Sequence, residues 1–427
     1  MCCKCHSSNG KASQIPGGRG ILAKSGCYQP DLLPLETSGA EDKLLVEQHG
    51  NMCPPGDSKS EEGDVTPKLS LIPIILERAG AVPLNIHVFS DFPTENHWNT
   101  ILPLIARAAR VCCTLEIKVN YLPRYLGIFS EPNSLPKLRY LRLEWDRGGN
   151  YSGLEGECID LSRATSITFL SISFQAQGVR NNLLSLRLPE VCTLKTLYLE
   201  GNLVPADVIS AVTCCASQLK WLTLYVDDWP LPDTDPADRT VQETQMPAAL
   251  QLSHLRHLRM KGRSLVLMHA ISAPKLQSLA ITSYGISMEA EHWTRYPHPL
   301  SATQQFPGLL DLQVPHQIPE NILIPYLAAH PTLKTVGTVG IVVTRWALFG
   351  HDTPLPNLRH LWVNCFGMRA EDVSALRDLA IRLRAASSSS GGLKCILHLK
   401  GSKRNFQEPA GQETYTSFNE ILTATGS

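Results

Sequence analysis

Apolar residues recur along this chain in one spacing, apolar-x-x-apolar-x-apolar. Leu138, Leu141 and Leu143 form the first copy, and Ile167, Leu170 and Ile172 the second. Further copies are Leu194/Leu197/Leu199, Leu219/Leu222/Leu224, Leu255/Leu258/Met260, Leu276/Leu279/Ile281, Leu309/Leu312/Val314 and Leu358/Leu361/Val363. A ninth, starting at Leu333, keeps two of its three positions. Successive copies start 21 to 36 residues apart. The last two positions alternate, which predicts a short strand with both side chains turned inward; the first enters from the turn before it. One such unit cannot bury its apolar face alone, so copies must stack.

The spacing brackets the leucine-rich-repeat period, with insertions in some turns. The expected fold is an irregular α/β leucine-rich-repeat solenoid, a curved parallel sheet with helices on the convex side. Helix-like return segments lie between strands: Pro205 to Gln218, the stretch from Pro319 that contains Pro325, and Met368 to Ala385. KCILHLK, after a Ser/Gly link, reads as a closing strand. Upstream, a helix over Leu69 to Ala79 leads to a strand over Leu84 to Phe89; a second helix, with Trp98, Ile101, Ile105 and Ala108 on one face, leads to Leu115 to Val119. The expected organisation is a mostly disordered segment over 1–67, the solenoid over 68–400 and a flexible tail over 401–427. The Asp- and Pro-rich stretch Asp227 to Pro247 reads as a long loop. Asn202 fits the asparagine of the repeat, but Asp146, Gln175, Asp227, Arg263, Tyr284 or Phe366 holds that place elsewhere, so curvature should be uneven.

Residues flanking the last two apolar positions should face the concave side. They include Tyr140, Arg142 and Glu144; Thr196, Tyr198 and Glu200; Trp221, Thr223 and Tyr225; His257, Arg259 and Lys261; Ser278, Ala280 and Thr282; and His360, Trp362 and Asn364. Aromatic and Arg side chains are what protein interfaces concentrate at their centres. The candidate partner-binding set is Tyr140, Arg142, Tyr198, Trp221, Tyr225, His257, Arg259, His360 and Trp362, and the expected partner is a protein whose identity no residue reveals.

Composition narrows the function classes. Lys+Arg and Asp+Glu are both 39 in 427 residues, so no basic excess points to nucleic acid. The opening MCCKCHSSNGKASQ lacks the apolar core of a signal peptide, and no apolar run approaches the roughly 18–20 residues of a membrane helix, so cytoplasm or nucleus is expected. The thirteen scattered cysteines then read as reduced thiols. Cys2, Cys3, Cys5 and His6 have no second ligand pair at zinc spacing, and neither a metal nor a cofactor is expected. Their alternative reading is acylation that attaches a scaffold to a membrane. No nucleophile elbow, phosphate loop, zinc-protease or dinucleotide motif is present, so no enzyme is expected.

ERAGAVPLNI, the HW…LEI segment after it, and repeats of variable length without an asparagine ladder resemble fungal F-box proteins of the leucine-rich-repeat type over roughly residues 68–400. The resemblance implies a solenoid that holds a substrate, behind an F-box that docks the Skp adaptor of a cullin–RING ubiquitin ligase. LPLE, from Leu33 to Glu36, matches the F-box opening Leu-Pro-x-Glu. Thr37, Ser38 and Gly39 stand where Leu and Ile should run, and no Trp precedes Trp98. The F-box is absent or degenerate. The alternative is a free-standing interaction scaffold with no ligase link.

Overall fold

The structure, a computed structural model, describes residues 43–48, 83–90, 102–103, 105–119, 126, 128–129, 135–145, 158–174, 183–226, 249–282, 300, 306–314, 318, 320–339, 357–364, 381 and 396–400. Its strands are β1 (Lys43–Gln48), β2 (Leu84–Ser90), β3 (Cys112–Val119), β4 (Tyr140–Trp145), β5 (Cys158–Asp160), β6 (Phe169–Phe174), β7 (Ser185–Arg187), β8 (Thr196–Gly201), β9 (Trp221–Val226), β10 (Leu250–Gln251), β11 (His257–Lys261), β12 (Ile271–Ser272), β13 (Ser278–Thr282), β14 (Asp311–Gln313), β15 (Thr335–Val339), β16 (His360–Asn364) and β17 (Ile396–Lys400). Thirteen of them make one open parallel sheet in chain order: β1-β2-β3-β4-β6-β8-β9-β11-β13-β14-β15-β16-β17. The protein is mixed α/β with a large parallel sheet and few helices. No described helix is long and apolar enough to cross a membrane.

The sheet register sets like against like. Ile86, Leu115, Leu141, Leu170, Leu197, Leu222, Leu258, Leu279, Leu312, Val336 and Leu361 are successive cross-strand partners, all buried. Val88, Ile117, Leu143, Ile172, Leu199, Leu224, Met260 and Ile281 make a second buried row two residues on. Burying each such side chain stabilises by roughly 1.5–3 kcal/mol. A slip of one residue would bring both rows out into water, so the apolar pattern fixes the register.

The turn before each strand is written into the sequence as well. The N–H groups of Leu138, Ile167, Leu255, Leu276, Leu309 and Leu333 donate to the carbonyls of Leu135, Ala164, Leu252, Ala273, Phe306 and His330, each three residues back, at 3.0–3.2 Å. In four of these turns the second residue is proline (Pro136, Pro274, Pro307 and Pro331), whose fixed φ suits that position. All six donors are apolar and fully buried, so the turn delivers the first apolar residue of the repeat into the core. The next residue ties each unit to the one before it. Arg139 donates to Cys113, Thr168 to Arg139, Lys195 to Thr168, Lys220 to Lys195, Arg256 to Lys220, Gln277 to Arg256, Leu310 to Gln277, Lys334 to Leu310 and Arg359 to Lys334, through backbone groups at 2.7–2.9 Å.

The return segments are less uniform than the strands. Helix α1 (Pro205–Cys215) starts on its proline and buries Val208, Ala211, Val212 and Cys215, one face of a helix. Helix α2 (Glu320–Ala329) accommodates Pro325 on an exposed side while Leu323, Tyr326 and Leu327 are buried. A 3-10 helix (Gly262–His269) carries the chain away from β11, entered through Gly262 at φ 63°. Its buried Ser264 hydroxyl is within 2.8 Å of the Leu224 carbonyl and 2.7 Å of the Lys261 carbonyl. Other returns contain short strands that pair with each other in parallel, β5 with β7 and β10 with β12, not helices.

The strand expected to begin at Leu115 begins at Cys112, and helix α1 ends at Cys215, short of Gln218. Within 1–67, expected to lack regular structure, Lys43–Gln48 forms β1 and pairs with β2 over six residues. The stretch KLLVEQ sets Leu44 opposite Ile86 and Val46 opposite Val88, continuing the apolar register. The closing strand is β17, paired with β16. The expected helix over Leu69 to Ala79, the loop over Asp227 to Pro247 and all but one residue of the helix over Met368 to Ala385 lie outside the described residues, as do Cys2, Cys3, Cys5, His6 and Leu33 to Glu36.

Candidate functional site

Opposite the buried rows, the sheet carries three outward rows. The first runs Thr114, Tyr140, Phe169, Thr196, Trp221, His257, Ser278, Asp311, Thr335, His360. The second runs His87, Glu116, Arg142, Ser171, Tyr198, Thr223, Arg259, Ala280, Gln313, Gly337, Trp362. The third includes Lys118, Glu144, Ser173, Glu200 and Tyr225. Strands β4, β8 and β11 show the resulting alternation of partly exposed and buried residues along their length. Trp221 and Trp362 are 41% and 47% exposed, large for apolar side chains in a sheet.

Seven of the nine expected contact residues lie together on consecutive strands β4 to β11. The Tyr140 ring stacks on Phe169 with centroids 4.2 Å apart. Tyr198 meets Tyr225 edge-on at 5.9 Å, and Trp221 stacks on His257 at 3.4 Å. Arg259 is within hydrogen-bond reach of the Tyr225 hydroxyl. His360 and Trp362 stand apart on β16; five strand steps separate Trp362 from Trp221, about 24 Å at the spacing of paired strands.

Charge is distributed unevenly on this face. His87 Nδ1 lies 2.9 Å from Glu116 Oε2, and Arg142 Nη1 is 3.3 Å from Glu116 Oε1. Arg142 Nε donates to Glu144 Oε1 at 2.7 Å, and Lys118 Nζ lies 3.2 Å from the other oxygen of Glu144. Arg142 is thus shared between two carboxylates. The hydrogen bond from His87, helped by Arg142 and Lys118, outweighs burial and holds the Glu116 carboxyl below its usual range. Burial alone would weaken the charge on Arg142, but Glu144 and Glu116 reverse that and raise its affinity for the proton.

Glu200 is the acceptor of the middle of the face. Tyr198 donates its hydroxyl proton to Glu200 Oε2 at 2.5 Å, Ser173 donates at 2.7 Å, and Lys261 Nζ lies 4.0 Å from the other oxygen. Lys261 also sits over the Tyr225 ring, 5.0 Å from its centre. Burial and the Glu200 charge push the Tyr198 hydroxyl far above its usual pKa. Burial raises Tyr140 and Tyr225 and lowers His257, which Asp311 opposes. His257 is therefore neutral near pH 7.

Several residues of this face were absent from the expected contact set: Phe169, His87, Glu116, Lys118, Ser173, Asp311 and Gln313. Each occupies the flanking position of an apolar-x-apolar pair that was itself legible, so the same spacing rule identifies them. The face offers stacking surfaces, hydrogen-bond donors and an ionic lattice; among the described residues no group of three or more His, Cys, Asp or Glu is placed to hold a metal ion. Compared with known proteins, the chain matches no family model and no curated protein.

Proposed function

We propose that the parallel sheet is one side of an irregular leucine-rich-repeat solenoid, and that its outward rows bind a protein without catalysing a reaction. Trp221 and Trp362 carry this reading: two indoles on a regular sheet face, each nearly half exposed, are side chains that protein interfaces bury. The nine repeats in the sequence and the unbroken hydrogen-bond ladder from Cys113 to Arg359 support stacked repeating units. By its resemblance to fungal F-box proteins, the chain is the substrate-recognition part of a ubiquitin-ligase receptor acting in the cytoplasm or nucleus. Co-purification of the tagged full chain with the Skp adaptor and its cullin tests the ligase link. Stoichiometric recovery of both supports a working, degenerate F-box. Absence of both leaves a free-standing interaction scaffold.

A further inference from the structure

The cations of the outward face differ in one respect. Arg142 and Lys118 are paired with carboxylates, and Lys261 lies at 4.0 Å from Glu200. Arg259 has no carboxylate within ion-pair distance among the described residues; its contact is the neutral Tyr225 hydroxyl. Nearby carboxylates are committed elsewhere. Glu200 already receives Tyr198, Ser173 and Lys261. Asp311 projects from the first row three strands along from Trp221, beyond His257 and Ser278.

The surroundings of Arg259 suit an incoming anion with an apolar neighbour. Thr223 lies opposite it on β9, and Trp221 is two residues before Thr223 on the same face. That places the exposed indole about 8 Å away, from the strand spacing and rise. A guanidinium presents a planar fork that matches a carboxylate, and it is weakly hydrated, so pairing costs it little water. The indole supplies the apolar area that such an ion pair needs beside it to be shielded from solvent.

Resting on the protein-binding reading above, we infer that Arg259 and Trp221 together seat an acidic peptide segment of the partner, the guanidinium taking an Asp or Glu side chain and the indole an adjacent aromatic one. Asp311 repels acids from the far side of His257 and so directs the carboxylate to the Thr223 side of Arg259.

Fluorescence anisotropy on the full chain tests this with a short fluorescein-labelled peptide carrying Asp, Glu and Trp among Gly and Ser, and a twin carrying Asn and Gln instead. The acidic peptide should bind about tenfold tighter than its twin, the gain expected of one charge-assisted pair. Added salt should shrink the difference. R259Q should abolish the preference with the melting temperature unchanged, R259K should retain part of it, and W221A should weaken both peptides alike. Equal affinities, a preference that survives R259Q, or no binding of either peptide overturns the inference. The wider reading fails separately, when no partner contacts the face at all, as cross-linking from Gln313 would reveal.

Discussion

The indole of Trp221 lies flat on the imidazole of His257, ring centres 3.4 Å apart and planes 13° from parallel, with the two residues directly opposite on β9 and β11. One residue further on, Leu222 faces Leu258 in the core. Neighbours in sequence thus serve opposite ends: one row holds the sheet together and the next is displayed.

That division predicts a sharp contrast between adjacent substitutions. Leu222→Ala should cost about 2–5 kcal/mol, the usual penalty for emptying a buried leucine site. Trp221→Ala should cost about 1 kcal/mol or less, the worth of a stacked pair on an exposed face. Urea unfolding of both variants measures the difference. Equal, large losses would mean that the indole belongs to the core.

Gly201 ends β8 at φ 113°, and a Cβ built there would lie 2.0 Å from the Phe174 carbonyl oxygen. The residue is glycine because neighbouring units approach backbone to backbone at this point. Gly201→Ala should therefore destabilise by about 2 kcal/mol or more, exceeding the entropic gain that alanine brings elsewhere. A calorimetric melting temperature equal to wild type would show that the turn relaxes at no cost.

Arg142 bridges Glu116 and Glu144 with its side chain only 22% exposed. Arg142→Gln should leave two facing acids without their shared cation and cost about 1–3 kcal/mol. Since those acids then repel each other, the loss should shrink as salt is added. A chemical-denaturation series at low and high salt reads this directly, and a salt-independent loss would assign the residue a packing role instead.

Stability should fall in mild acid. His330 is 2% exposed, its ring stacked against Tyr326 with centroids 4.2 Å apart. Its Nδ1 is 2.7 Å from the Tyr326 carbonyl, which only accepts, so Nδ1 carries the proton of the neutral ring. Burial lowers its pKa below the ordinary 6.5, partly offset by that hydrogen bond, and burial lowers His257 in the same direction. The unfolded chain therefore takes up these protons first. Stability is complete above pH 6.5 and is lost as the pH falls below it, through the lowered folded values. Equilibrium unfolding between pH 7.5 and 5 should show the decline, and His330→Leu should flatten it. Parallel curves for both proteins would contradict the assignment.

The sheet was legible in the sequence because its rule is local: an alternating pair of apolar residues points inward wherever it recurs, and Leu141, Leu170 and Leu197 needed no distant information to be placed. The outward rows followed from the same rule, as the exposure of Trp221 and Trp362 reflects. What the spacing did not convey was the interaction between units. The ion pairs of Arg142 and the convergence on Glu200 depend on which strand sits beside which, and the acid at Glu116 comes from a strand outside the repeat pattern. Return segments were also poorly marked. Cys158–Asp160 and Ser185–Arg187 are three residues each, too short to show a period, and they become strands by lying side by side.

Cross-linking from inside the cell tests most directly whether the outward face is where a protein docks. A photoreactive side chain is placed at Gln313, exposed in the second outward row, and in a control at Val191, 78% exposed in a return segment. A discrete covalent adduct from position 313, absent from position 191 and diminished by Trp221→Ala together with Trp362→Ala, is the predicted result. An adduct only from position 191, or none from the sheet face, would contradict the assignment of this face as the binding surface.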